Sequence, residues 1–300
     1  MQSSNVRGII TMVAAVATFS VMDVTMKRLV ESYPSMEVTF LRGVASLPFL
    51  LGATAAFGRW KDLIPHRLQL HVLRGFLGVG TLWCFVYALN VLSLADTYAI
   101  FMSAPLLITA LSVPMLREHV GWRRWAAVLV GLAGVIVVLK PTGAGLITIG
   151  GVAALGSAIM YAVSAITVRI LSRTDSGAAT VFWTLLLLTL ISGALAATHW
   201  VPVDSRHWPW IAGLGLSGAV GQYLFTRAFR LAAPSAVAPI EYTALMWGMM
   251  FDRLLWMTAP SSRMLFGAAI IVASGLYVLY RERATDTDSV AKQADSGRPA

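Results

Sequence analysis

Long apolar runs fill most of this chain, and short stretches that carry charges, proline or glycine separate them. A helix needs about 20 apolar residues to cross a bilayer, and dividing the sequence at the breaks gives ten runs of about that length. They lie near residues 7–27, 36–57, 69–90, 95–116, 123–140, 146–170, 177–198, 207–229, 235–257 and 263–281. The pattern predicts an all-α polytopic membrane protein with about ten transmembrane helices, whose connections are too short for a soluble catalytic domain. Residues 284–300 are polar and predict a disordered tail.

Composition supports the same class of protein. The chain of 300 residues is 57% hydrophobic and 12% charged, whereas a soluble domain is usually about a quarter charged. The net charge of +9 does not indicate nucleic-acid binding, because the basic residues stand in small groups between apolar runs. The only cysteine, Cys84, excludes an intramolecular disulfide. The first apolar run is longer than a signal-peptide core of roughly 7–15 residues, so we expect a retained first helix.

The distribution of lysine and arginine predicts the orientation. With the N-terminus in the cytoplasm, fourteen of these residues fall at cytoplasmic ends of the predicted helices and six at outer ends. Cytoplasmic loops normally carry the excess of positive charge. We therefore predict that both termini are cytoplasmic.

The two halves of the chain are weakly similar to each other. Residues 87–139 align without gaps on residues 227–279, and the break at 117–122 falls on the break at 257–262. This predicts two repeats of five helices, 1–140 and 141–283. Because five is odd, the second repeat enters the membrane from the opposite side. Inverted repeats place a substrate site near the midplane and transport by alternating access.

The helix layout and several short motifs resemble the EamA-type members of the drug/metabolite transporter superfamily. The pieces that carry the resemblance are FLRG at 40–43, the proline-, glutamate- and glycine-bearing segment 103–138, and IEYTALMWGMMFDRLLW at 240–256. Two positions depart from the family pattern, since Arg117 replaces the usual glycine and Thr258 stands near where the loop glutamate would recur. Within the family, the chain is most similar to the YddG-type aromatic amino-acid exporters. The resemblance implies a carrier of small metabolites.

Glu241 is an acidic residue inside a predicted membrane helix, two residues after Pro239. Charged residues are expensive in the membrane and usually mark transport paths or ion pairs. Glu241 is therefore a candidate for proton titration or for binding a substrate ammonium group. The alternative is a structural pair with Arg227 or Arg230, which we slightly favour.

Arg42 is a basic residue in a comparable position, in the second predicted helix. Its planar guanidinium could hold a substrate carboxylate with two hydrogen bonds. The alternative, which we favour, is an ion pair with Asp23 or Glu37, which lie at a similar predicted depth. Such a pair near the outer face is a candidate gate.

Amphipathic and aromatic residues at mid-depth are candidates for the walls of a cavity for a flat, partly polar solute. Together with Arg42 and Glu241 they are Trp83, Tyr87, Tyr98, Met102, Tyr161, Gln222 and Trp247. Plain helix packing and aromatic belts at the membrane interface are the competing explanation. The GLGLSG segment at 213–218 lies within a predicted helix, so we interpret it as close helix packing and not as a nucleotide site.

These observations predict a secondary transporter of the bacterial inner membrane that exports small metabolites, most of all amino acids including aromatic ones. The chain has no P-loop motif, which excludes direct use of ATP by this chain. We expect no metal, cofactor or nucleic acid and leave the oligomeric state open. The alternatives are a carrier of another solute, such as a nucleotide-derived metabolite or an amphipathic drug, a membrane-embedded enzyme, or a channel.

Overall fold

The structure is a computed structural model that describes residues 2–57, 60–116, 121–139, 148–171, 174–231 and 238–295. Its α-helices are α1 Gln2–Leu29, α2 Ser35–Phe57, α3 Leu68–Val91, α4 Leu94–Phe101, α5 Ala104–Leu116, α6 Trp122–Leu139, α7 Ile149–Leu171, α8 Gly177–Ala196, α9 Trp208–Leu231, α10 Ala244–Leu255 and α11 Ser262–Asp295. Short 3₁₀ turns cover Trp60–Leu63, Ala197–His199, Ser205–His207 and Ala238–Thr243. No strand occurs within these ranges, so the described part of the chain is all-α.

Several of these helices are long and apolar enough to cross a membrane. There are 6 such spans among the described residues, namely Val6–Leu29, Ser35–Ala56, Leu68–Val91, Leu94–Leu116, Ile149–Val168 and Gly177–His199. A shorter apolar helix covers Ser262–Val278. The chain is therefore an integral membrane protein. The count of ten spans and the cytoplasmic location of both termini stay predictions.

Two of the predicted helices are each divided in the structure. The predicted helix 95–116 forms α4 and α5, separated at Met102 and Ser103. Pro105 follows this break at once, and a proline has no N–H with which to continue the helical ladder. The predicted helix 235–257 begins in the described residues as the 3₁₀ turn that contains Pro239 and continues as α10. Both breaks fall near the middle of the predicted spans, where backbone irregularity is tolerated only inside the protein or beside a cavity.

The C-terminal helix extends beyond its predicted end. The helix α11 continues to Asp295, which differs from the disordered tail predicted from residue 284. No glycine or proline occurs between Gly275 and Gly297, and alanine, glutamate, lysine, arginine and glutamine in this stretch are good helix formers.

The helices pack in matched pairs across the two halves of the chain. The helix α1 packs on α9 as α3 packs on α7, while α2 packs on α8, α6 on α11 and α4 on α10. The end of α1 at Lys27 meets Leu92, which follows α3, and Asp252 on α10. The start of α3 at His71 instead meets Asp175, which follows α7. Since α1 and α7 end at opposite ends of α3, they run in opposite directions, as an inverted repeat requires.

These contacts define two faces of the molecule. The Lys27 face holds the ends marked by Lys27, Leu94 and Asp252, and the Asp175 face holds those marked by His71 and Asp175. The predicted orientation makes the Lys27 face the outer one and the Asp175 face the cytoplasmic one.

Helices α6 and α11 come into backbone contact at Gly134 and Gly267. A Cβ atom on Gly267 would lie 2.9 Å from the Gly134 carbonyl oxygen and 2.5 Å from Val138 Cγ2. Small residues let membrane helices come into backbone contact, where van der Waals packing is the main attraction. Glycine is therefore required at this crossing for steric reasons.

We expect Gly267→Ala to lower the free energy of unfolding by about 1–3 kcal/mol, because the added methyl group forces α6 and α11 apart. The measurement is the melting temperature of the purified protein in detergent. The same substitution at Gly213 is the control, since nothing lies within 4 Å of a Cβ atom built there. Equal melting temperatures for the two variants would contradict this account of the α6–α11 contact.

Candidate functional site

A continuous set of aromatic rings crosses the interior of the helix bundle. The Phe85 ring stacks on Tyr98 with centroids 6.2 Å apart and meets Phe101 edge-on at 5.4 Å. The Phe101 ring in turn lies 5.3 Å from that of Tyr161. We call these four residues the aromatic row; they come from α3, α4 and α7. Such pairs attract each other beyond simple burial, so the row is a continuous aromatic contact that joins both halves of the chain.

The end of the row nearer the Lys27 face carries an acidic and a basic side chain. The Tyr98 hydroxyl donates a hydrogen bond of 2.6 Å to the buried Asp23 carboxylate on α1. Arg42 on α2 interacts electrostatically with Asp23. No described residue lies within 4.0 Å of the guanidinium as an ion-pair partner, and none forms a hydrogen bond with it. The predicted Arg42–Asp23 pair is therefore a longer-range attraction, with the Asp23 carboxylate hydrogen-bonded to Tyr98.

The alternative partner of Arg42, Glu37, is turned away from it. The Glu37 carboxylate accepts a hydrogen bond of 3.0 Å from the backbone N–H of Val201, which lies between α8 and α9. Residues five apart on a helix point in different directions, which explains why Glu37 and Arg42 do not meet. Glu37 fixes a loop at the Lys27 face and does not form the predicted gate.

The other end of the row carries Glu241, in the 3₁₀ turn before α10. Tyr161 interacts electrostatically with Glu241 and with Arg74 of α3. The Glu241 side chain is half-buried, and the described residues provide no hydrogen bond or ion pair to its carboxylate. Within the described residues, the Glu241 carboxylate therefore has no partner for its charge.

The structure does not pair Glu241 with Arg227, one of its two predicted partners. Arg227 is exposed, and its guanidinium lies 3.5 Å from the Tyr223 hydroxyl one turn away on the same helix. A long arginine side chain on an outer helix face extends towards the water, which keeps it from the interior. The Arg230 side chain, the second proposed partner, lies outside the described residues.

Arg74 also belongs to this site, although its charge is one of the fourteen that the sequence pattern assigns to cytoplasmic helix ends. In the structure it is half-buried on α3 and donates to the Thr180 carbonyl at 3.3 Å and to the Ser164 hydroxyl at 3.5 Å. Its position about a turn and a half inside the predicted third helix is the sequence feature that could have identified it as an interior residue. Phe85 was missed too, although it lies between the predicted Trp83 and Tyr87.

The other predicted cavity residues lie in different surroundings. Trp247 packs against an apolar cluster between α1 and α9 that consists of Met12, Ala15, Val16 and Ala228. This contact agrees with the competing explanation, plain helix packing. Trp83 is 46% exposed, and no ring contact joins Trp83 or Tyr87 to the row within the described part of the chain. Met102 packs against the main core beside Phe101, and Gln222 is half-buried on α9.

A buried carboxylate fastens the loops of the Asp175 face. Asp175 follows α7 and accepts hydrogen bonds from the His66 N–H at 2.6 Å, the Thr174 hydroxyl at 2.7 Å and His71 Nε2 at 3.1 Å. Burial by itself would raise the pKa of Asp175, but the three hydrogen bonds outweigh it and hold that pKa well below its usual range. The carboxylate therefore ties the start of α3 to the turn between α7 and α8.

Comparison with known proteins decides the family. The family model of the EamA-like transporters matches residues 6–140 and 148–280, once in each half and over most of the chain. The chain belongs to the EamA-like transporter family. A crystal structure of a protein superposes on this EamA-family chain with a TM-score of 0.62 at 19% identity, over 95% of this chain and 99% of that one. At that identity the likeness shows the fold alone.

Three relatives of this EamA-family protein are named transporters of small molecules. The riboflavin transporter of Rhizobium johnstonii is 31% identical over 93% of each chain. The pseudopaline exporter of Pseudomonas aeruginosa is 27% identical over 89% of this chain and 94% of that one. The S-adenosylmethionine uptake transporter of Rickettsia prowazekii is 26% identical over 92% and 93%. None of the three is named as an amino-acid exporter, so the narrower resemblance stays a prediction.

We expect Asp175→Asn to lower the free energy of unfolding by about 2–3 kcal/mol at pH 7, because a buried ionised acceptor of three hydrogen bonds is lost. Since the pKa is lower in the folded protein, the stabilisation is complete above the unfolded value of about 3.9 and is lost as the pH falls below it. Melting temperatures between pH 7 and 3 would measure both effects.

The matched control for this prediction is Asp62→Asn, which changes an exposed carboxylate on the same face. The gap in melting temperature between wild type and Asp175→Asn should narrow below about pH 4. A gap of constant size down to pH 3, or an equal loss in the Asp62 variant, would contradict the role given to Asp175.

Proposed function

We propose that this EamA-family transporter is a secondary carrier for small metabolites that combine a flat ring with charged amino or carboxylate groups, aromatic amino acids among them. The carrier operates by alternating access through a central cavity beside the aromatic row. The observation that carries the proposal is the row itself, which has an open guanidinium at one end and an open carboxylate at the other. The relatives are bacterial proteins, which supports a location in the bacterial inner membrane.

The charges at the two ends match the two charges of an amino acid. The Arg42 guanidinium presents a planar fork that suits a carboxylate, and the Glu241 carboxylate suits an ammonium group. A charge in the membrane region without a partner is expensive, and a bound solute of opposite charge removes that cost. The rings between Arg42 and Glu241 offer a flat apolar surface for an aromatic side chain.

A second candidate solute is a larger metabolite with a heteroaromatic ring. Riboflavin and S-adenosylmethionine, the solutes in the names of two relatives, both carry such a ring, and the aromatic row would stack on it equally well. The direction of transport is left open by the same names, since one relative is an exporter and another an uptake transporter. We retain export of amino acids as the first proposal because both open charges then have a partner.

Counterflow in proteoliposomes tests the proposal directly. We expect saturable uptake of labelled phenylalanine or tryptophan into vesicles loaded with the same amino acid, and competition by unlabelled aromatic amino acids. Riboflavin and S-adenosylmethionine belong in the same panel. Counterflow of these two alone would favour the second candidate, whereas flux that rises linearly to the highest concentration would point to a channel and contradict a carrier.

We expect Glu241→Gln and Arg42→Gln each to lower transport about 10–100-fold, because each removes one charge-assisted contact with the solute, of about 1.5–3 kcal/mol. The melting temperature should change little or rise, since an unpaired charge has been taken out of the membrane region. Initial rates of counterflow and melting temperatures are the two measurements.

Arg227→Gln is the control, because this arginine is exposed and distant from the interior. Transport by this variant should equal that of wild type. Normal transport by Glu241→Gln together with a lower melting temperature would show that Glu241 is structural, and would remove it from the site.

A further inference from the structure

A buried ion pair closes the interior of the bundle at the Lys27 face. The Lys27 ammonium on α1 lies 3.2 Å from the Asp252 carboxylate on α10, and the two side chains are 10% and 2% exposed. The same carboxylate accepts hydrogen bonds from the Leu94 N–H at 3.0 Å and the Ala95 N–H at 2.7 Å, at the start of α4. A negative charge is favourable at the N-terminus of a helix. Asp252 thus holds α1 and α4 to α10 at one point.

Further contacts surround this pair. Lys27 donates a second hydrogen bond of 3.2 Å to the Leu92 carbonyl, and its ammonium lies 4.6 Å from the centre of the Trp256 ring. The Trp256 indole N–H donates at 3.1 Å to Glu31, beyond the end of α1. The tryptophan therefore lies against the pair and joins the last turn of α10 to the first half of the chain.

The pair lies directly beyond the aromatic row. Lys27 is four residues after Asp23 on α1, so the two share a face of that helix. Ala95 is three residues before Tyr98 on α4, so these two share a face of α4 as well. The helix α10 also touches the row, because a Cβ atom on Gly248 would lie 2.6 Å from the Tyr98 ring. A solute beside the row would meet the ion pair about one helical turn further towards the Lys27 face.

A charged closure differs physically from an apolar one. Burying two ions costs about as much as their attraction returns, so a buried pair adds little net stability compared with apolar side chains of similar size. When the helices part, water solvates both ions and offsets the lost attraction. An apolar contact gains nothing from water when it opens. A buried pair therefore keeps the closed and open forms near balance, which alternating access requires.

We infer that Lys27 and Asp252 form the gate at the Lys27 face, closed in this structure, and that opening it separates α10 from α1 and α4. The inference adds a gate to the carrier proposed above and does not depend on which solute is carried. It also moves the predicted gate from Arg42 and its acidic neighbours to a pair that joins the two halves of the chain.

Accessibility of a single cysteine beside the row tests the gate without any solute. The reporter is Met102→Cys, one turn from Tyr98 on the side away from the gate, in a Cys84→Ser background. A membrane-impermeant thiol reagent is added to right-side-out and to inside-out vesicles. In Lys27→Met the lone Asp252 charge attracts water, so labelling through the Lys27 face should become at least fivefold faster.

The double variant Lys27→Met with Asp252→Asn should behave in the opposite way. It has no ions for water to solvate, and the asparagine oxygen can still accept from one of the two N–H groups at the start of α4. Labelling from the Lys27 face should be at least fivefold slower than in wild type. Because this variant buries no lone charge, it carries the test even where Lys27→Met does not fold.

The control is Arg206→Gln, which removes an exposed charge on the same face, next to the His207 that contacts Tyr33 beyond the end of α1. It should label at the wild-type rate. The gate is ruled out if the thiol of the double variant is labelled at the wild-type rate. It is also ruled out if labelling becomes faster through both faces, because that result would indicate loosened packing. Altered labelling with no counterflow of any solute in the panel would support the gate and reject the proposed solutes.

Discussion

The buried pair of Lys27 and Asp252 is the interaction that fixes one end of the bundle. One carboxylate accepts from an ammonium of α1 and from two backbone N–H groups of α4, so three helices from both halves meet at a single side chain. The low charge content of the chain gives each such contact great weight, because an ion in the membrane region is expensive without a partner. Asp175 has the corresponding role at the Asp175 face, where it connects the start of α3 to the end of α7.

The sequence predicted the helices well because membrane helices are defined by long apolar runs, which are local. The two internal breaks were harder, since a proline such as Pro105 can begin a helical segment or interrupt one, and only the packing decides. Ion pairs were harder still. Lys27 and Asp252 are 225 residues apart, and no local pattern joins them. Lys27 and Arg74 are among the charges at helix ends that predict the orientation, and that count does not show that both lie within the protein.

The candidate site was predicted in part for a related reason. Glu241, Arg42, Tyr98 and Tyr161 are polar or charged within apolar runs, so they stood out. Phe85 and Phe101 did not, because a helix that is apolar all round gives no sign of which face is turned inwards. The structure shows no Glu241–Arg227 pair, because the Arg227 side chain is exposed and contacts Tyr223 on its own helix. Opposite charges at similar depth suffice for a prediction, whereas an ion pair also needs both side chains to point the same way.

The same solvation physics acts in opposite ways at the two places where charge enters the bundle. At Lys27 and Asp252 the protein supplies both signs, so closure leaves no charge unpaired. Beside the aromatic row Arg42 has only a longer-range attraction to Asp23, and the described residues leave Glu241 open. A solute that supplies the missing charges removes the cost of closing the bundle around the row, and an empty row keeps that cost. A solute bound at the row would thereby favour closure of the bundle around it. That closure would reach α10, the helix that carries Asp252 of the gate, since Tyr98 lies against Gly248 of α10.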